Sequence, residues 1–325
     1  MEIQAYKSIF LDYLSDKIIE NKKLNEPKNL YNPIHYILQI GGKRIRPITT
    51  LMSCDLFGGN LKKALPAALS VEMFHNFTLI HDDIMDKASL RRGKETVHTK
   101  WDENVGILSG DALMILSYQM LEKYEGDIFS NIYTLFNETA LQICEGQQYD
   151  MDFETRNDVS LEEYIKMISY KTAVLLASSL KTGAIISNAS KQDEQLIYDF
   201  GYNLGIAFQL QDDYLDVFGD EDFGKKVGGD IEENKKTFLY LKTLELASDK
   251  DKEALQVLFS NKEKIENKIE KVKDLYVKYK IPELLIQEIE KYSLKSFESV
   301  KKLSISNVNK EIFINLGKNL MYRDK

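Results

Sequence analysis

The chain has 325 residues, of which 43% are hydrophobic and 29% charged, and a formal net charge of −8 at pH 7. That length holds one large domain or two ordinary ones, the apolar content excludes a disordered chain, and the acidic balance argues against nucleic acid as partner, whose binding surfaces are dominated by basic patches. With 5 prolines, 17 glycines and few strand signals, the composition is that of a soluble, largely helical protein. Cys54 and Cys144 lie in apolar helical surroundings without metal-ligand spacing, so both are expected to be buried, reduced thiols.

Residues 2 to 22 read as an amphipathic helix with mixed charges, lacking the apolar core of a signal peptide and the length of a membrane span, so no membrane span and a cytoplasmic location are expected. Pro27 marks a break, and a second helix is expected from about Pro33 to Ile40, ending at Gly41-Gly42. Lys43, Arg44 and Arg46 follow directly. They read either as a solvated basic turn or as an anion site ahead of the helix that begins near Pro47.

The helix expected over Ala64 to Asp86 is apolar apart from one stripe: His75, Thr78, Asp82 and Asp86 fall within about 60° on its wheel. Asp82 and Asp86 are one turn apart, and their repulsion becomes favourable when a divalent cation lies between them. His75, about 10 Å further down the helix, is either a satisfied core histidine or a second subsite. Arg91 and Arg92 follow the carboxylates. Gly110-Asp111 is read as opening another apolar helix, and EGQQYDMDF (145 to 153), with Gln147 and Asp150, as ending the next. After a loop at 156 to 160 comes a helix from near Ser160 carrying Lys171 and Thr172, the lysine read as a solvated residue or as one beside a cavity.

A second acidic stretch, GIAFQLQDDYLDVFGD (205 to 220), gathers Gly205, Gln209, Asp212, Asp213 and Asp216 within about 80°. The lysine- and glycine-rich segment after it contains Lys225, Lys226, Asp230 and Lys235 and can fold over an anion. Beyond residue 238 the pattern is charged amphipathic helix, most clearly over 251 to 275, and the tail carries Arg323 and Lys325.

Two DDxxD motifs, each with cations nearby, can hold Mg²⁺ ions around a diphosphate and make it a good leaving group. No serine elbow, phosphate-binding P-loop or dinucleotide fingerprint is present, which weakens hydrolase, phosphoryl-transfer and oxidoreductase readings. The apolar helix before Asp82 suits a hydrocarbon tail.

In these motifs, GGKRIRP (41 to 47), HNFTLIHDDIMD (75 to 86), RRG (91 to 93), GQQYD (146 to 150), KT (171 to 172), FQLQDDYLDVFGD (208 to 220) and GKKVGGDIEENK (224 to 235), the chain resembles a trans-isoprenyl diphosphate synthase of the polyprenyl synthetase family. The resemblance implies one all-α domain over residues 1 to 325, a helical bundle around a deep central cavity (the isoprenoid synthase fold), assembled as a homodimer. It implies head-to-tail 1'-4 condensation of isopentenyl diphosphate with an allylic diphosphate, assisted by three Mg²⁺ ions. Asp82 and Asp86 would bind two of these and Asp212 the third, with Asp83, Asp213 and Asp216 in support. Arg91, Lys171 and Lys225, or Lys226 in its place, would clamp the allylic diphosphate. Lys43, Arg46, His75 and Arg92 would take isopentenyl diphosphate, and Thr172 and Gln209 would line the path of the cation. The basic tail at Arg323 and Lys325 loosely resembles an end that closes some family sites.

The resemblance also bears on product length. Phe77 stands five residues before Asp82, where a large residue resembles short-chain synthases; Thr78 is small, and the first motif lacks the two-residue insertion common in bacterial farnesyl diphosphate synthases. These features resemble a geranylgeranyl diphosphate synthase, with farnesyl diphosphate as the alternative if Phe74 shortens the pocket. Two other readings compete. A catalytically silent helical subunit of a heteromeric prenyltransferase would not need the intact aspartates, and a terpene cyclase would not need the second diphosphate site that GGKRIRP and RRG imply.

Overall fold

Apolar side chains at helical spacing shape almost every segment. The computed structural model describes residues 2–21, 26–219, 227–260 and 265–321, without the side chains of residues 18–21. In chain order, α1 (Ile3–Asn21), α2 (Lys28–Gln39), α3 (Ile45–Leu56) and α4 (Leu61–Met85) lead to a two-stranded hairpin of β1 (Leu90–Arg91) and β2 (Lys94–Glu95). There follow α5 (Val97–Lys100), α6 (Glu103–Leu121), α7 (Gly126–Thr155) and α8 (Leu161–Ile168), then a π-helical turn at Ser169–Ala173 that runs into α9 (Val174–Ile186). The rest comprises α10 (Lys191–Phe218), α11 (Gly229–Glu232), α12 (Phe238–Leu246), α13 (Asp249–Ser260), α14 (Lys268–Lys278), α15 (Ile281–Lys301) and α16 (Asn307–Met321). The expected all-α class is borne out: among the described residues the only sheet is the hairpin, with Leu90 opposite Glu95 and Arg91 opposite Lys94.

The chain forms two compact units, Met1–Asn137 with Ser178–Glu194, and Glu138–Ala177 with Gln195–Lys325. In the first unit α4 is the central element, packed on α3 and α6. Asn60 caps it, its side chain accepting from the Lys62 amide at 2.9 Å. Beside Pro66, the Tyr124 hydroxyl enters the helix ladder, accepting from the Ala67 amide at 3.1 Å and donating to the Lys63 carbonyl at 2.6 Å. Ala64, Ala67, Ala68, Leu69, Phe74 and Ile80 are buried on α4, and each large apolar side chain among them contributes about 1.5–3 kcal/mol by leaving water. In the second unit, Leu210 and Val217 of α10 join Tyr164 and Ile168 of α8, Leu239 of α12, Tyr276 of α14 and Leu285 of α15 in one core. A capping box starts α8, with Ser160 accepting from the Glu163 amide and Glu163 accepting from the Ser160 amide.

Several expected boundaries move. Helix α2 starts at Lys28, because Pro27 serves as its N-cap and the helix runs on through Pro33 at the loss of one backbone donor. Gly110 lies inside α6 instead of opening it: a Cβ there would come within 2.4 Å of His81 Nε2, so the glycine serves the approach of α6 to α4. The helix expected over 251 to 275 is divided into α13 and α14, with Asn267 left-handed at φ 56° just before α14. Cys54 is buried, whereas Cys144 is exposed, because Leu141, Cys144, Glu145 and Gln148 form the solvent face of α7.

Candidate active site

In the first unit the carboxylates gather where α4 stops. Asp82 and Asp83 fall in its last turn and Asp86 is its C-cap. The Asp83 side chain is 1% exposed, that of Asp82 21%, and Asp86 is exposed. Arg91, delivered by the hairpin, reaches both buried-side carboxylates: Nε to Asp83 Oδ1 at 2.7 Å and Nη2 to Asp82 Oδ2 at 3.2 Å. Burial raises the pKa of Asp83, against the pull of Arg91. Burial would lower that of Arg91, but its bond to Asp83 and the charges of Asp83, Asp82 and Asp86 leave it raised. Arg91 is thus a full cation held against a partly exposed acidic helix end.

Arg92 and Gly93 form the hairpin turn with φ of 54° and 72°, the two left-handed residues that a two-residue hairpin loop requires. For an arginine that conformation costs about 1 kcal/mol or more. The Arg92 guanidinium is held in return, donating through Nη1 to the Gly41 carbonyl. It lies so close to Gly42 (φ +129°) that a Cβ there would meet Arg92 Nη1 at 2.5 Å, which is why a glycine stands at that position. The turn from Gly41 to Arg46 and the hairpin are therefore in contact. On α3, Arg46 Nη1 is 3.2 Å from His75 Nε2 of α4. Burial lowers the Arg46 pKa to about 10, with Glu72 opposing the shift and Arg92 adding to it. Burial and the cations Arg46, Arg92, Arg91 and Arg44 hold His75 well below the ordinary histidine value, so it is neutral. Lys43 is exposed beside this group. Arg46, His75, Arg92 and the Lys43 turn are thus assembled on the same unit.

One cation of the basic run leaves this group. The sequence left Lys43, Arg44 and Arg46 together as either a solvated basic turn or an anion site, but Arg44 is 6% exposed and points inward, donating to Glu72 Oε1 and to the Leu38 carbonyl. Phe77 also faces inward on α4, its ring 5.4 Å from Phe74 and 4.8 Å from His81, and Phe74 packs on Phe136 at 5.1 Å. Thr78, half-buried, donates to the His75 carbonyl at 2.8 Å.

In the second unit the π-helical turn carries Lys171 and Thr172, which simple helical spacing does not anticipate. Lys171 Nζ donates to Asp150 Oδ2 of α7 at 2.6 Å, and Thr172 Oγ1 to Gln209 Oε1 of α10 at 3.3 Å. Two glycines bring these elements together. A Cβ on Gly146 would come within 2.4 Å of the Lys171 amide nitrogen, and one on Gly205 within 2.6 Å of Ala173 Cα. Asp212 and Asp216 are half-buried on α10, and Asp216 Oδ2 accepts from the Asp230 amide at 3.0 Å. Asp213 is 3% exposed and accepts from the Tyr164 hydroxyl; burial first, then the Asp230 charge, raises its pKa well above the carboxylate range. Lys225, Lys226, Arg323 and Lys325 lie outside the described residues.

The donor set suits Mg²⁺. Among the described residues no three carboxylate, imidazole or thiol groups close into a cage, and Mg²⁺ is usually bound by one or two carboxylates with waters and substrate phosphates completing its shell. Asp82 with Asp86, and Asp212 with Asp216, offer hard oxygen donors one helical turn apart. Asp83 Oδ2, buried without a hydrogen-bond partner, and Asp213, engaged by Tyr164, stand behind them.

The family model described as polyprenyl synthetase matches residues 27–276. The chain belongs to the polyprenyl synthetase family. It is accordingly a prenyltransferase, as its motifs led one to expect. It is 39% identical over 298 residues to the geranylgeranyl diphosphate synthase of Saccharolobus solfataricus, covering 90% of each chain. It is also 39% identical over 268 residues to the short chain isoprenyl diphosphate synthase of Methanothermobacter thermautotrophicus, covering 82% of each. A crystal structure of a geranylgeranyl pyrophosphate synthase superposes with a TM-score of 0.93 at 47% identity, covering 100% of both chains.

Around the motifs of this prenyltransferase, the sequence reading passed over two supporting groups. Tyr164 is one: its hydroxyl donates to Asp213, 49 residues further along the chain, and no local spacing signals that pair. Glu72 is the other; it lies three residues before His75, an acidic residue in an otherwise apolar helical run.

Proposed function

We propose that this chain joins isopentenyl diphosphate to an allylic diphosphate by head-to-tail 1'-4 condensation, with geranylgeranyl diphosphate as the main product. The C–O bond of the allylic substrate breaks and diphosphate leaves with the electron pair; the allylic C1 bonds to C4 of isopentenyl diphosphate, and the proton lost from C2 passes to the released diphosphate, which restores an alkene. The observation that carries this reading is Arg91 lying across Asp82 and Asp83 in the first motif. A cation already seated against the carboxylate oxygens can turn to a diphosphate that arrives beside them. Lys171, paired with Asp150, has the same character in the second unit.

Asp82, Asp86 and Asp212 would hold three Mg²⁺ ions, with Asp83, Asp213 and Asp216 in support. Bound Mg²⁺ would supply Lewis-acid stabilisation of the charge on the departing diphosphate. Arg91, Lys171 and Lys225, or Lys226 in its place, would grip the allylic diphosphate. Lys43, Arg46 and Arg92 grip isopentenyl diphosphate, and neutral His75 adds a hydrogen bond there without altering the charge balance. The hydroxyl of Thr172 and the amide oxygen of Gln209 face the developing cation with partial negative charge and no strong nucleophile. Phe77, backed by Phe74, ends the space for the growing chain, which supports a short product. We further propose that residues 1 to 325 work as a single domain in the cytoplasm. No described helix is long and apolar enough to cross a membrane. The enzyme works as a homodimer, a state favoured by the exposed apolar side chains Ile107, Leu108 and Ile115 on α6.

Purified protein incubated with Mg²⁺, isopentenyl diphosphate and each of dimethylallyl, geranyl and farnesyl diphosphate tests the proposal. Geranylgeranyl diphosphate should dominate. A lack of any prenyl product would sink the proposal, and a dominant farnesyl product would move the chain-length assignment.

A further inference from the structure

Arg44 belongs to the basic run of the GGKRIRP stretch, yet none of the roles above uses it. Its backbone is left-handed at φ 54°, two residues after Gly42 (φ 129°), where the chain passes from α2 to α3. A residue with a Cβ stays in that conformation only when its surroundings hold it there. Both prongs of the guanidinium are held: Nη1 on Glu72 of α4 and Nη2 on the Leu38 carbonyl in the last turn of α2. Glu72, 2% exposed, is fixed in turn by Asn76 Nδ2, which donates to Glu72 Oε1 at 3.0 Å and to the Glu72 carbonyl at 2.7 Å. Glu72 stands one turn before His75 on the same helix. The arginine therefore ties the turn carrying Lys43 and Arg46 to the segment of α4 that carries His75.

We propose that Arg44 and Glu72 are a positioning pair for isopentenyl diphosphate: they fix the left-handed turn so that Lys43 and Arg46 meet His75 in one anion subsite. The inference rests on the functional reading above, which assigns those side chains to that substrate. A rigid, planar fork is needed because two acceptors on different helices must be met at once, which a lysine ammonium on a flexible stem does poorly. The pair touches neither Arg91 nor the aspartates in any hydrogen bond described, so its loss acts on one substrate and spares the other.

The experiment uses the full chain and three variants: Arg44→Lys, Glu72→Gln, and the double variant Arg44→Met with Glu72→Met, which replaces the buried pair by apolar side chains and keeps the fold where a lone buried charge would not. Calorimetric titration with isopentenyl diphosphate gives its dissociation constant, and steady-state kinetics give KM for each substrate. In every variant whose circular dichroism matches that of the parent, binding of isopentenyl diphosphate and its KM should weaken about tenfold or more, as a displacement of about 1 Å in a positioned group can cost up to a hundredfold. KM for the allylic diphosphate should stay within about threefold. Equal weakening of both substrates, or no change in a folded variant, overturns the proposal. If the double variant does not fold, Arg44→Lys and Glu72→Gln decide by the same ratio. Parent protein that binds isopentenyl diphosphate without turning it over would defeat the functional reading and leave the positioning role to be decided by calorimetry. Parent protein that fails to bind it defeats both.

Discussion

Phe77→Ala should lengthen the product by one isoprene unit as its main effect. Along α4, Phe77 stands about 7.5 Å and Phe74 about 12 Å before Asp82, from five and eight residues at about 1.5 Å each. Removing the first ring therefore lowers the stop by about 4.5 Å, three residues along the helix and roughly the reach of the four main-chain carbons of one unit, and leaves the Phe74 ring, braced by Phe136, as the next barrier. Phe77 is 8% exposed and packs on two rings, so truncation should also cost about 3 kcal/mol. For a chain of 325 residues that is a fall in melting temperature of about 4–5 °C. The assay is product analysis by mass spectrometry after phosphatase treatment, at a temperature where circular dichroism shows the variant folded. The double variant with Phe74→Ala should lengthen the product again. An unchanged distribution in folded Phe77→Ala would refute the floor role, and very long products from the single variant would refute Phe74 as the second stop.

Asp82→Ala should lower turnover by orders of magnitude while the far-ultraviolet spectrum stays that of a helical protein, because Arg91 keeps its bond to Asp83; near-normal turnover would overturn its metal role. For His75, the folded pKa lies below the ordinary value of 6.5, so the unfolded chain takes up a proton that the folded chain resists. Its contribution to stability is present above that pH and is lost as the pH falls below it. His75→Gln should consequently flatten the dependence of melting temperature on pH between about 7 and about 5, and an unchanged slope would contradict the buried neutral histidine. Gly146→Ala forces a Cβ to within 2.4 Å of the Lys171 amide nitrogen, which should cost about 1–3 kcal/mol by overpacking. By displacing the lysine it should also raise KM for the allylic diphosphate; a variant with parental stability and KM would mean that the α7 contact does not set the position of Lys171.

Much of this was legible in the residues because local chemistry repeats at helical spacing. The stripe of His75, Thr78, Asp82 and Asp86 needs only the helical period, and α4 runs from Leu61 to Met85 with Asp86 as its cap. The boundary of α2 was less legible: Pro33 suits a first turn, but Pro27 starts the helix earlier, and one proline is tolerated where neighbouring packing offsets a lost donor. Lys171 was visible as a lysine beside small residues; that a π-helical turn delivers it to Asp150 was not, since a widened turn has no local signature and depends on Gly146 and Gly205 admitting their neighbours.

By itself, then, the sequence determined the helical class, the two acidic helix faces and the cations that accompany them, because spacing and charge are properties of short segments. Tertiary structure decided which charges meet. Lys43, Arg44 and Arg46 are alike in sequence, yet Lys43 remains exposed, Arg46 meets His75 and Arg44 turns in to Glu72. Arg91 and Arg92 are neighbours, yet one spans Asp82 and Asp83 while the other lies over Gly41 and Gly42. Those choices follow from three-dimensional fit: a guanidinium can leave water only where a carboxylate or carbonyl from another segment is already in place to receive it.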